Sequence, residues 1–180
     1  MSIRSGIAAG GNVRSTRPPT KPTASGIAVF QGNIHGIVRF TEMSDQARVA
    51  IDVDIKGLKK NALHGFHVHE YGDLSDGCTT MCAHFNPYDE NHGGPDSKHR
   101  HVGDLGNIKS DGHGCAKYRF YDSMIKLRGV KSNIIGRGLI IHADEDDCGL
   151  GKNKESKITG NAGKRIACAV IGFASCDKSN

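Results

Sequence analysis

Three histidines lie close together in the stretch HGFHVHEYGD, residues 64–73, of this 180-residue chain. In an extended strand successive side chains point to opposite faces, so His67 and His69 share one face and His64 lies on the other. Two imidazoles on one face could bind a transition metal, although a histidine in a strand is more often a hydrogen-bonded core or surface residue. A metal site is therefore expected only if other parts of the chain add ligands.

Further possible ligands follow in two later parts of the chain. The first part supplies three imidazoles and one carboxylate, a set that suits tetrahedral zinc: His84, His92, His101 and Asp104. The second supplies His142, directly after the apolar residues GLII. With His67 and His69 it would form a site of nitrogen ligands only, which suits copper or zinc. The two groups suggest two different metals.

The apolar pattern predicts strands that would position these residues. Short apolar stretches are separated by Gly, Asn and Asp, with turns at Gly32–Asn33 and near Asp45. Alternation is clearest in the third stretch, where every second residue from Val49 to Ile55 is Val or Ile. The expected strands lie within residues 26–32, 34–42, 47–57, 63–72, 103–122 (a hairpin around 111–114), 125–129, 134–144 and 166–174.

Two long stretches interrupt this pattern, from Asp73 to His101 and from Asp144 to Arg165. Loops longer than about 15 residues are usually functional or disordered. About eight strands with two long functional loops indicate an all-β fold, an eight-stranded Greek-key β-sandwich or flattened barrel of immunoglobulin-like type.

Composition limits the possible partners. The net charge of +5 is spread along the chain and aromatic residues make up only 6%, so a nucleic-acid partner is not expected. No apolar run approaches the roughly 18 residues of a membrane-spanning helix, so no membrane partner is expected either.

The length suits one domain, which we place at residues 25–174 between an N-terminal extension and a C-terminal tail, residues 175–180. Residues 1–24 have basic but no acidic residues and no apolar core, which argues against a secretory signal and predicts a disordered basic extension. A cytoplasmic location is the expectation, with organelle targeting by the extension as the alternative.

Six cysteines are present without a C-x-x-C pair: Cys78, Cys82, Cys115, Cys148, Cys168 and Cys176. Neither a zinc finger nor a thioredoxin-like motif is indicated. In a cytoplasmic protein cysteines are normally reduced thiols, although one disulfide bond remains a possibility.

The chain closely resembles the eukaryotic copper/zinc superoxide dismutases. The motifs that carry the resemblance are GFHVHEYGD, HFNP, HGGP, RHVGDLGN, IIGRGLIIHADEDD and GNAGKRIACAVIGFA. They lie between His64 and Asp104 and between Ile134 and Ala174, and a looser similarity extends from about Ser25 to Ala174.

The resemblance implies one copper and one zinc per chain. Copper would be bound by His67, His69, His84 and His142, and zinc by His84, His92, His101 and Asp104. His84 would bridge the two metals as an imidazolate, which requires two adjacent cations. Asp146 would accept hydrogen bonds from His67 and His92 and so fix these rings.

The resemblance also implies roles for residues around the copper. Arg165 would line the substrate channel and hold the superoxide anion. A disulfide would join Cys78 to Cys168, with Cys82 near enough in sequence to compete for it. Nearby lysines could extend a positive field to the channel mouth, namely Lys152, Lys154, Lys157 and Lys164. This rim departs from the common family pattern, which has Glu where Lys154 stands and Lys where Ile158 stands.

The implied activity is disproportionation of superoxide to oxygen and hydrogen peroxide by Cu(II)/Cu(I) cycling, with His84 as one proton source. A homodimer is implied, with Tyr71–Asp73, Ile135–Arg137 and Ile171–Phe173 at the interface, as is a copper chaperone as partner. One alternative is a noncatalytic metal-binding relative, which would have lost copper ligands or the channel arginine. Another is a zinc hydrolase, which would need an open zinc position.

Overall fold

The computed structural model describes residues 22–43 and 47–175. In these residues the strands are β1 (Pro22–Phe30), β2 (His35–Met43), β3 (Val49–Lys56), β4 (Leu63–His69), β5 (Asp104–Lys109), β6 (Ala116–Asp122), β7 (Gly138–His142) and β8 (Arg165–Phe173). A 3-10 helix at Thr79–Met81 and a single helical turn, α1 (Ser156–Thr159), lie in the long loops. The all-β prediction is confirmed.

The strands form one antiparallel sheet in the order β5-β4-β7-β8-β1-β2-β3-β6. The sheet curls until its edge strands β5 and β6 come close, which makes a flattened, nearly closed barrel. We call β4, β5, β7 and β8 the site half, and β1, β2, β3 and β6 the plain half. Residues 57–62 and 123–137 cross from one half to the other, as in a Greek key.

Alternating apolar side chains fill the space between the two halves. Val49, Ile51, Val53 and Ile55 of β3 are at most 2% exposed, as their alternation predicts, and they face Phe66 and Val68 of β4 within one core cluster. Removing such side chains from water is the main stabilising contribution in a barrel of this kind.

Residues 125–129 form no strand, contrary to the prediction. Only an isolated bridge joins Lys126 to Asn133, yet Ile125 and Leu127 are 0% and 1% exposed. A crossing loop that inserts every second side chain into the core produces the same alternation as a strand, so the pattern alone does not distinguish them.

Three expectations concern the edges of the described chain. Strand β1 begins at Pro22, inside the segment 1–24 assigned to the extension. Residues 1–21, the turn near Asp45 and Cys176 in the C-terminal tail lie outside the described residues. No helix in the described ranges is long and apolar enough to cross a membrane.

Candidate metal centre

Strand β4 carries two histidines on the face opposite the core. Phe66 and Val68 point into the barrel, so His67 and His69 point outward, where the two long loops cover them and leave them 0% and 1% exposed. The sheet register places His67 opposite Asp104 of β5. A strand buried on both faces can thus hold polar side chains out of water.

Four imidazoles converge in a first group. Ring nitrogens of His67, His69, His84 and His142 all lie within 4.8 Å of one another. One nitrogen of each ring is buried and has no hydrogen-bond partner among the described residues: Nδ1 of His67 and Nε2 of His69, His84 and His142. Buried polar atoms are nearly always satisfied, so four unsatisfied nitrogens facing each other fit a bound cation.

The second nitrogen of three of these rings is fixed by an oxygen. His67 Nε2 donates to Asp146 Oδ2 at 2.8 Å, His69 Nδ1 to the Cys82 carbonyl at 2.8 Å and His142 Nδ1 to the Gly163 carbonyl at 3.2 Å. Because these oxygens only accept, the bonded nitrogen carries the proton and the free nitrogen keeps its lone pair. The lone pairs are therefore available to a metal.

A second group adjoins the first. Its members are His84, His92, His101 and Asp104, all buried. Asp104 Oδ1 lies 2.9 Å from His84 Nδ1 and 3.0 Å from Nδ1 of both His92 and His101. Three imidazole nitrogens and one carboxylate oxygen in such a closed arrangement suit a structural zinc ion.

His84 belongs to both groups. Its Nδ1 faces Asp104 in the second group, and its Nε2 is the unsatisfied nitrogen that faces the first. One ring thus offers a nitrogen to each of two neighbouring cations.

The first group strongly favours neutral imidazoles. Burial, reinforced by the neighbouring His67, lowers the pKa of His84 to about 3, against the hydrogen bond to Asp104. Burial also lowers the pKa of His142 to about 4 and that of His69 well below its ordinary value. Neutral rings are the form that binds metal.

The second group contains an ion pair instead. Burial disfavours the charged form of His92, but hydrogen bonds to Asp104 and Asp146 outweigh it and raise its pKa to about 9. Burial likewise opposes charge on Asp104, but hydrogen bonds from His101, His84 and His92 hold its pKa far below the usual range. The side chain of Asp104 therefore stays ionised and available to a metal, in a site from which water is excluded.

Asp146 connects the two groups. Its Oδ2 accepts from His67 Nε2 and its Oδ1 from His92 Nε2, both at 2.8 Å. Gly160, at φ +67°, lies against this contact: a Cβ there would come within 1.8 Å of Asp146 Oδ1. The close approach and the left-handed backbone both require glycine at this position.

Arg165 lies beside the first group. The register of β7 and β8 pairs it with His142. Its guanidinium donates to the carbonyls of Cys78 and Cys82, and it lines a cavity of about 440 Å³ with His69, His84 and His142. A fixed cation thus faces an open space next to the histidines.

The structure contains the predicted disulfide, next to the Cys78 carbonyl that accepts from Arg165. Cys78 and Cys168 are joined at an S–S distance of 2.08 Å. Cys82, Cys115 and Cys148 are free thiols. The bond ties the first long loop to β8, next to the carbonyl that receives the Arg165 guanidinium.

The expected lysine rim is not found among the residues that line the cavity next to Arg165. Lys157 donates to the Gly149 carbonyl, and none of the four lysines singled out from the sequence lines the cavity itself. Glu155 and the 55% exposed Ile158 do so.

Several supporting residues escaped the sequence reasoning. The carbonyls of Cys82 and Gly163 orient ligand rings, and backbone acceptors leave no mark in a sequence. Asn107 exchanges two 2.8 Å hydrogen bonds with the backbone of Asp146. Buried Arg100 bonds Asp122 and the Asp104 carbonyl. The only signal for Arg100 was its position inside the RHVGDLGN motif.

The fold and the site together define a β-barrel protein with two adjoining groups of possible metal ligands that share one histidine. The family model described as copper/zinc superoxide dismutase matches residues 34–171. The chain belongs to the copper/zinc superoxide dismutase family.

Relatives and a solved structure agree with this assignment. A copper-zinc superoxide dismutase of Paramecium bursaria Chlorella virus 1 is 68% identical over 155 residues, covering 86% of this chain and 81% of the relative. The Yarrowia lipolytica enzyme is 50% identical over 149 residues, covering 82% and 96%. The crystal structure of the clock protein EA4 matches with a TM-score of 0.80 at 41% identity, covering 88% of this chain and 99% of that one.

Proposed function

We propose that this protein disproportionates superoxide: two superoxide anions and two protons become one dioxygen and one hydrogen peroxide. Family membership supports the activity, and the unsatisfied nitrogens of the first histidine group are the observation that carries it. Copper bound there would supply the one-electron exchange by alternating between Cu(II) and Cu(I).

The assignment of each metal follows from the donor sets. We assign copper to the nitrogen-only group and zinc to the group that contains Asp104. All members of both sets are present and buried, which disfavours a relative that has lost its copper ligands. The zinc set is closed by four protein ligands, which disfavours a zinc hydrolase.

The chain's own residues guide the substrate and the proton. Arg165 holds the anion by hydrogen bonds from its guanidinium, whose orientation the Cys78 and Cys82 carbonyls fix. His84 lines the same cavity, and its Nε2 has no hydrogen-bond partner among the described residues, so this ring is placed to carry a proton to the product. Asp146 keeps His67 and His92 in their metal-binding orientation.

The first test is metal content by mass spectrometry together with superoxide decay after pulse radiolysis. We expect one copper and one zinc per chain with fast, cyanide-sensitive decay. Full metal occupancy without decay would contradict the activity and leave a metal-binding relative.

A second test concerns Arg165. Hydrogen bonds to a charged group are worth about 1.5–3 kcal/mol, so Arg165→Ala should lower the rate constant about 10- to 100-fold. Arg119→Ala is the matched control, because Arg119 lies on the outer face of the plain half, paired with Asp52. Equal rate constants for both variants would show that Arg165 does not hold the superoxide anion.

We also propose a homodimer. Its support is an apolar surface at one end of the site half, where Tyr71 is 56% and Phe173 71% exposed. Gly136 donates to the Ile171 carbonyl, and a Cβ on Gly72 would touch the Gly136 carbonyl, so the three predicted interface segments are contiguous.

Sedimentation at micromolar concentration should show a dimer. Phe173→Glu should dissociate it, whereas Val130→Glu, at a 94% exposed residue elsewhere, should not. A monomeric wild type would refute it.

Copper delivery by a chaperone and a cytoplasmic location remain proposals. The burial of the ligand nitrogens supports assisted loading, because it restricts the access of a free hydrated ion. Loading of the metal-free protein in the presence of a copper chelator tests the first, with copper uptake expected only from a copper-loaded chaperone. Cell fractionation tests the second.

A further inference from the structure

The first long loop makes a tight turn between two ligands of the proposed zinc group. Residues 86–90 lie between His84 and His92. The side chain of Asn86 closes this turn: its Nδ2 donates to the Glu90 carbonyl at 2.8 Å, and its Oδ1 accepts from the Glu90 amide at 3.1 Å. Such bonds make a turn compact, so a contact at its tip affects the histidines on both sides.

Tyr88 connects the tip of this turn to a different part of the chain. Its hydroxyl lies 3.2 Å from the Ser132 hydroxyl. The ammonium group of Lys131 lies 4.3 Å from the centre of its ring, within the distance of a cation–π interaction. We call these three residues the Tyr88 clasp. The clasp joins the first long loop to the crossing segment 123–137.

The crossing segment is itself anchored to the core. Ile125 and Leu127 insert into the barrel and are 0% and 1% exposed. The amide of Lys126, which lies between them, donates to the Ser132 carbonyl at 2.9 Å. The clasp therefore connects the turn to the packed interior of the barrel.

The turn has few other attachments. Among the described residues, the hydrogen bonds and ion pairs of residues 86–91 stay within the first long loop, apart from the bond of Tyr88. On either side the backbone is fixed, because the Phe85 amide donates to a carbonyl of β4 and the His92 amide to a carbonyl of the second long loop, both at 2.9 Å. Movement of the stretch between them away from the barrel requires that the clasp break.

The burial of the second histidine group makes such movement relevant to a bound metal. His92 and Asp104 are 3% and 0% exposed, which restricts the exchange of an ion bound there with water. Exchange at buried positions proceeds through local opening, and the contacts that must break set its free energy. The contacts of Tyr88 are partly exposed and individually weak, so they should change the rate of release without deciding whether the site forms.

We propose that Tyr88 is a positioning residue that slows the release of zinc, because its clasp holds His84 and His92 in their ligand positions. The proposal rests on the zinc assignment made above. The other three proposed copper ligands lie on β4 and β7, outside this loop. The clasp therefore acts mainly on zinc.

The experiment measures the loss of zinc and copper from the metal-loaded protein in excess chelator, by mass spectrometry of samples taken over time. Tyr88→Ala removes both contacts and should raise the rate constant of zinc loss about fivefold. Tyr88→Phe keeps the ring under Lys131 and loses only the hydroxyl bond, so its rate constant should lie between those of Tyr88→Ala and the wild type. Copper loss should stay near the wild-type rate, whereas a general loss of stability would release both metals faster.

Tyr121→Ala is the matched control. Tyr121 is 45% and Tyr88 44% exposed, and each ring faces a cation, which for Tyr121 is the Arg48 guanidinium at 5.3 Å. Because Tyr121 lies on β6 of the plain half, its replacement should leave the rate of zinc loss unchanged.

Equal rates of zinc loss in Tyr88→Ala and Tyr121→Ala would overturn the proposal, as would an equal acceleration of zinc and copper loss. A wild-type protein that binds no zinc would overturn the zinc assignment and this proposal together. Zinc release is measured without superoxide, so a metal-loaded protein without dismutase activity would refute the proposed activity alone.

Discussion

The two halves of the barrel use the same strand geometry for opposite purposes. In the plain half, β3 buries Val49, Ile51, Val53 and Ile55 on one face, and its other face includes the partly exposed Asp52 and Asp54. In the site half every residue from His64 to His69 is buried, because the two long loops cover the outer face. The difference shows that a strand can carry a polar site out of water when its loops, rather than a second sheet, cover it.

The comparison predicts that polar substitutions in the site half change metal binding and activity, and that apolar substitutions in the plain half change the free energy of unfolding.

The largest effect is expected for His142→Ala, at the end of β7. Removing one of the four proposed copper ligands should abolish activity, while zinc content stays near one per chain because His142 is not in the proposed zinc group. Mass spectrometry and superoxide decay measure both. If His142→Ala bound copper and removed superoxide at wild-type levels, the expected difference between the two halves would be wrong.

In the plain half the largest effect should fall on stability alone. Ile51 is fully buried, and Ile51→Ala should lower the free energy of unfolding by about 2–5 kcal/mol through lost burial and a residual cavity. Denaturant unfolding measures this loss. Decay per folded, metal-loaded chain should stay at the wild-type rate, and a large drop would show that the halves are coupled.

The Cys78–Cys168 disulfide tests whether the geometry of the site depends on the attachment of the first long loop to β8. Replacing Cys78 and Cys168 together by Ser should lower the free energy of unfolding by about 2–5 kcal/mol, because the bond closes a long loop of the unfolded chain. It should also lower activity, since Cys78 holds Arg165 through its carbonyl. Cys115→Ser, a free thiol in the loop after β5, is the control. Activity unchanged in the double variant would show that the carbonyl keeps its place without the bond.

A smaller effect is expected for Asp146→Ala. Loss of a carboxylate that orients metal ligands typically costs about 10- to 100-fold in metal affinity or activity. Competition with a chelator should show weaker binding of both metals, because Asp146 bonds a histidine from each group. Weakening of one metal only would assign Asp146 to a single group.

The smallest effect should come from the outer face of the plain half. Asp52→Ala breaks the exposed pair with Arg119, and such pairs are worth about 0.2–1 kcal/mol. Unfolding should shift only slightly, with metal content and decay unchanged. A clear loss of activity here would show that surface charge far from the cavity guides the substrate.

Much of the fold follows from local pattern. Alternation placed β3 and β4, and Gly, Asn and Asp marked the turns, because side-chain direction in a strand depends only on sequence spacing. The same reasoning failed at residues 125–129, where a loop inserts Ile125 and Leu127 into the core. Hydrogen bonding to a neighbour, which local pattern does not record, separates a strand from such a loop.

The sequence by itself determined which residue types are available: two histidines on one face of β4, a carboxylate with three more imidazoles, and the motifs that indicate the family. The family resemblance also predicted that His84 is shared by the two groups and that Asp146 joins them, and the structure shows the contacts concerned. Only the tertiary structure revealed that the carbonyls of Cys82 and Gly163 set the tautomers of His69 and His142. The physical reason is that ligand geometry and hydrogen-bond satisfaction depend on residues far apart in the chain, which meet only when the barrel closes.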